Sequence, residues 1–72
     1  MLFASEDLSF AEFVLAQRLD RAHRMLTDPR LADQTISAIA YQSGFGDLSY
    51  FNRTFRRRYG ATPSDIRRMS RQ

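Results

Sequence analysis

Seventy-two residues make one small domain at most, with a modest core and little stability to spare. There is no cysteine, so neither a disulfide framework nor a cysteine zinc site can support the fold. Net charge is +3, every one of the eleven cations is arginine, and seven of them lie between Arg53 and Arg71. A positive end of this kind suits phosphates or acidic lipid surfaces, or simply solubilises the chain. The opening MLFASEDLSF has no basic segment and carries early acids, which excludes a secretory signal. No apolar run is long enough to span a bilayer. A soluble, cytoplasmic chain is the expectation.

Ser9 followed three residues later by Glu12 fits a capping box and predicts a helix from Phe10. That helix should end near Thr27, because Pro29 disfavours a helical Asp28. Leu15, Leu19, Ala22 and Leu26 form one apolar stripe along it, while Phe10, Phe13 and Val14 project to another side. Asp28 to Gln34 reads as a loop. Thr35 can cap a short helix, ISAIAYQ, whose Ile36, Ile39 and Ala40 face inward, and Gly44 offers the backbone conformation that ends it. Asp47 is placed to cap a third helix over Leu48 to Tyr59, closed by Gly60. Thr62, Pro63 and Asp65 start a fourth, expected to bury Ile66 and Met69. The fold class is all-α, with four helices.

The third helix carries the information about function. Leu48, Phe51, Phe55 and Tyr59 share one side at spacings of three and four, and that side is core. Ser49, Asn52, Arg53 and Arg56 share the other, with Arg57 beside them. The aromatics therefore hold the helix down and are not stacking platforms for single strands. Short polar side chains near a helix amino end, flanked by arginines, suit base edges and phosphates in a major groove. A small-residue helix, a glycine turn and a basic helix in succession make a helix-turn-helix.

The stretch ISAIAYQSGFGDLSYFNRTFRRRYGATPSDIRR resembles the second helix-turn-helix of the AraC/XylS transcriptional regulators. The features that carry the resemblance are Ile39-Ala40, Gly44-Phe45, Ser49-Tyr50-Phe51, Phe55, Tyr59-Gly60, Thr62-Pro63 and Arg67, with Arg18-Leu19 and Ala22 upstream. It covers residues 9 to 68. The resemblance implies a helix-turn-helix domain of the AraC/homeodomain-like type, half of the usual two-unit domain. In that family a long helix joins two units whose recognition helices enter the major groove about 34 Å apart. Residues 9–69 then correspond to the connecting helix plus the second unit, 1–8 to a remnant of the first unit and its loop, and 70–72 to a tail. Leu48, Ser49 and Asn52 fall at base-facing positions, and Arg53 and Arg56 at positions touching bases or phosphate. Arg57 and the Ser64 hydroxyl are lesser phosphate candidates. The implied partner is double-stranded DNA and the implied location the nucleoid, with no cofactor and no small-molecule effector site in this chain.

The remaining residues support no chemistry. His23 is the only histidine, with no cysteine or acid pair around it, so a metal or catalytic role has no support. No hydroxyl has a histidine base within reach of a motif, and no glycine loop cradles phosphate. A membrane-surface helix conflicts with the core requirement of the face opposite the arginines. One alternative to DNA binding stands: a truncated regulator that acts as a protein-interaction module. It would dimerise weakly, or pair with a full-length relative, through Phe10, Phe13 and Val14.

Overall fold

Ser9 opens the first helix by a reciprocal exchange with Glu12. The Glu12 amide donates to the serine hydroxyl at 3.1 Å, and the Ser9 amide donates to the Glu12 carboxylate at 3.0 Å, satisfying two amides that the first turn cannot. The structure is a computed structural model that describes residues 9–70. The expected remnant at 1–8 and the end of the tail lie outside the described residues.

Helix α1 spans Phe10–Leu26. It ends at Thr27, whose hydroxyl donates back to the His23 and Arg24 carbonyls. Asp28 is extended, as a residue before proline must be. The expected loop is more ordered than its sequence suggested, because Pro29–Leu31 forms a single 3₁₀ turn capped by the Asp28 carboxylate. Helix α2 spans Ile36–Gln42 under a Thr35 cap. Helix α3 spans Leu48–Tyr59, with Asp47 accepting from the Ser49 and Tyr50 amides at 2.8 and 3.1 Å. Helix α4 spans Pro63–Ser70 behind a Thr62–Asp65 box.

Eight buried residues make the core: Leu19, Ala22 and Leu26 of α1, Ile39 and Ala40 of α2, Phe45 of the turn, and Phe51 and Phe55 of α3. Leu15, Met25, Ile36, Leu48, Tyr59 and Ile66 pack around it. Ala22 and Ala40 have no exposed surface, and their small size lets the helix backbones approach. Among the described residues no strand occurs and no helix is long and apolar enough to cross a membrane.

Met69 does not join this core; it is 53% exposed. On so short a helix one narrow face turns inward, and Pro63, Ile66 and Arg67 occupy it. Arg67 donates to the Gln34 carbonyl at 2.6 Å and the Leu31 carbonyl at 3.3 Å, tying α4 to the connection between α1 and α2. The guanidinium thus supplies a donor to the Gln34 carbonyl and a second one to the Leu31 carbonyl, which already accepts from the Gln34 amide.

The α2–α3 turn sets where the third helix points. The Phe45 amide donates to the Ala40 carbonyl at 3.0 Å and the Gly44 amide to the Tyr41 carbonyl at 3.1 Å, the paired bonds of a Schellman ending. That ending requires a positive φ at Gly44, which stands at 104°, and Arg18 of α1 lies across it. A methyl group at Gly44 would come within 2.8 Å of Arg18 Nε. Because the arginine can swing aside, the backbone angle is the larger obstacle. Gly44→Ala is expected to cost about 1–3 kcal/mol, and each kcal/mol lowers the melting midpoint of a domain this size by about 4–8 °C. Adding Arg18→Ala should recover little of that loss in a thermal melt. Full recovery would locate the cost in the side-chain contact instead.

Candidate nucleic-acid interface

Helix α3 is amphipathic around its whole length. Phe51 and Phe55 are completely buried and Thr54 nearly so, its hydroxyl donating to the Tyr50 and Phe51 carbonyls. Ser49, Asn52, Arg53, Arg56 and Arg57 are all exposed and follow one another along the opposite face at helical spacing. Arg53 lies opposite the two buried phenylalanines, with Arg57 on one side of it and Ser49, Arg56 and Asn52 following in turn on the other. Leu48 sits differently from its five companions: it is half-buried and packs against the core, so only part of its side chain is offered outward. Ser64 is exposed, on the first turn of α4 beyond the end of α3.

The described arginines from Arg53 onward divide into two groups. Arg58, Arg67 and Arg68 are engaged internally, with Asp20, the Gln34 and Leu31 carbonyls, and Asp65. Arg53, Arg56 and Arg57 form no ion pair among the described residues. Among these described arginines, the open charges are those on the outer face of α3, beside its short polar side chains.

Interactions absent from the sequence reading fix that helix at its far end. Asp20 on α1 accepts from Arg58 Nε at 3.1 Å and from Arg58 Nη2 at 3.3 Å, and it also accepts from the Tyr59 hydroxyl. The Tyr59 hydroxyl, more than the arginine, holds the Asp20 carboxyl below its ordinary value of 3.8, while burial opposes the shift. Burial pushes the Tyr59 phenol up, and its bond to Asp20 adds to that. His23 lies against the Tyr59 ring with centroids 4.5 Å apart, so the only histidine is a packing residue. Among the described residues no cluster of three or more His, Cys, Asp or Glu side chains could hold a metal. Asp20 carries no sequence signal of its own; only the docking of α1 on α3 brings it to Arg58 and Tyr59, thirty-eight and thirty-nine positions away.

Residues 2–69 match a family model described as a helix-turn-helix domain. The chain is 50% identical over 68 residues to the transcriptional activator RhrA of Rhizobium meliloti (strain 1021), covering 94% of this chain and 21% of that protein. It is 36% identical over 67 residues to a urease operon transcriptional activator of Escherichia coli, covering 93% of this chain and 22% of that one. The chain belongs to the AraC/XylS family of transcriptional regulators. The HTH-type transcriptional activator RhaS of Citrobacter koseri is 42% identical over 50 residues, covering 69% of this chain and 17% of that protein. The chain thus spans about a fifth of the length of the curated relatives it matches. No solved structure matches. The AraC/XylS helix-turn-helix is a DNA-binding domain of transcription regulation, and the relatives are regulators rather than enzymes.

Asp20 gives this AraC/XylS domain a pH-dependent contribution to stability. Its folded pKa is depressed, so the unfolded chain binds the proton more readily. The stabilisation is full above the ordinary value of 3.8 and is lost as pH falls through the lower folded value. Melting curves taken from neutral pH to below that value should show a steeper acid decline for the wild type than for Asp20→Asn. Equal declines would mean that the cluster does not couple to folding.

Proposed function

We propose that this domain binds double-stranded DNA by laying the outer face of α3, residues 48–59, in the major groove. The observation that carries this reading is the division of the arginines. Arg53, Arg56 and Arg57 are exposed and form no ion pair among the described residues, on a helix whose opposite face is anchored by Phe51 and Phe55, while Arg58, Arg67 and Arg68 are engaged within the fold. Ser49 and Asn52 supply short donors and acceptors for base edges, with the outward part of Leu48 in apolar contact. Arg53 and Arg56 reach guanine edges or phosphate, and Arg57 and the Ser64 hydroxyl reach phosphate. A single recognition helix implies modest affinity, with Kd about 10⁻⁴ to 10⁻⁶ M where only phosphate contacts act.

The test is a fluorescence-anisotropy titration with a DNA duplex over a range of salt. Each lost phosphate contact lowers the slope of log K against log salt by about 0.9. Arg53→Ala with Arg56→Ala should therefore weaken binding and flatten that slope by up to about 1.8 if both contact phosphate. Ser49→Ala and Asn52→Ala should change preference among sequences and leave the slope alone. Binding indifferent to salt would overturn the reading.

A second reading rests on a separate observation, the exposure of Phe10 at 81% and Phe13 at 50% at the start of α1, beside half-buried Val14. Apolar side chains so placed suit another protein surface: a second copy of this chain, or a full-length relative. Sedimentation should then show weak, concentration-dependent association that Phe13→Asp abolishes while DNA binding persists. A monomer at every concentration up to millimolar would contradict it.

A further inference from the structure

Arg58 belongs to the run Arg56–Arg58 at the end of the recognition helix, yet it does not share the outer face. One helical step of about 100° beyond Arg57 turns it toward α1, where Asp20 receives it side-on through Nε and Nη2. A carboxylate meeting both nitrogens of the guanidinium fork makes the same planar match that a DNA phosphate would make. Asp20 is held ready for that match. The Tyr59 hydroxyl donates to the same carboxylate, and the Tyr59 ring is in turn held by His23 and Phe55 at centroid distances of 4.5 and 4.7 Å. Both partners of the ion pair keep about two-fifths of their side-chain surface exposed, 42% for Arg58 and 41% for Asp20. An ion pair so open to water contributes little to stability. Its main consequence is which charges the helix presents.

Resting on the DNA-binding reading above, the geometry points to Asp20 as a positioning residue for DNA binding, an internal substitute for phosphate that keeps Arg58 off the duplex. The recognition helix then presents three open arginines rather than four. Arg58, which would otherwise add a sequence-blind backbone contact on the α1 side, instead fixes the carboxyl end of α3 against α1. The carboxylate thereby trades non-specific affinity for a single docking register.

Salt-dependent anisotropy with a random-sequence duplex reads this directly. Asp20→Asn keeps an oxygen for the Tyr59 hydroxyl and removes the charge that holds Arg58. Its slope should be steeper than wild type by about 0.9, an extra loss of about 3.5-fold between 50 and 200 mM salt, with tighter binding at the low end. Arg58→Ala alone should keep the wild-type slope, Asp20→Asn with Arg58→Ala should return to it, and Asp20→Glu should preserve it. A merely structural Asp20 would lower the melting temperature and the affinity without steepening the slope. An unchanged Asp20→Asn slope overturns the assignment. So does a flatter slope in Arg58→Ala, or a slope that stays steep in the double variant. Wild-type binding that ignores salt would instead remove the DNA reading itself, and this assignment with it.

Discussion

A ladder of aromatic rings runs along the buried side of α3, and the exposed side depends on it. Phe45 packs on Phe51 at 4.9 Å, Phe51 on Phe55 at 5.5 Å, Phe55 on Tyr59 at 4.7 Å, and His23 closes the series on Tyr59 at 4.5 Å. All four contacts are tilted rather than face to face, the arrangement that ring quadrupoles favour. Burying a phenylalanine side chain contributes about 1.5–3 kcal/mol, and each such aromatic contact adds about 0.5–1.5 kcal/mol. In a domain whose net stability is of order 5–15 kcal/mol, two completely buried phenylalanines on one helix are a large share. Their joint effect is to fix the rotation of α3 about its own axis. Once that rotation is set, Arg53 can only face outward.

The electrostatics follow from the same geometry. Arginines crowded on one face would repel one another, and α3 and α4 together distribute them instead. Arg58 turns to Asp20, Arg67 to backbone carbonyls and Arg68 to Asp65. What remains outward is a strip of cations interleaved with a hydroxyl and an amide, a pattern suited to a polyanion that also displays hydrogen-bonding edges. Arg18 of α1 has a local structural place. It lies over Gly44 at the end of α2, where a cation complements the partial negative charge of the last carbonyls.

The helices were legible because each begins with a cap that the sequence states outright: Ser9, Thr35, Asp47 and Thr62 each stand where an amide needs an oxygen. The two faces of α3 were legible because Phe51 and Phe55 recur with helical period against Asn52, Arg53 and Arg56. The exposure of Met69 is not legible because an eight-residue helix shows too few turns to fix a face, and Arg67, though charged, turns inward beside Pro63 and Ile66. The Asp20 cluster was not legible at all. It depends on how α1 crosses α3, and residues so far apart in sequence acquire a relation only through that docking. The turn at Pro29–Leu31 is not legible for the opposite reason: one 3₁₀ turn is too short to have a period.

The central claim is that the outer face of α3 meets DNA, and a two-dimensional amide NMR titration of the isotopically labelled chain with a DNA duplex, at low and then high salt, tests it most directly. The account predicts that shift changes concentrate between Asp47 and Arg57 and fade as salt rises. If those amides stay still while the signals of Phe10 to Val14 broaden with protein concentration, the domain is an interaction module and DNA is not its ligand.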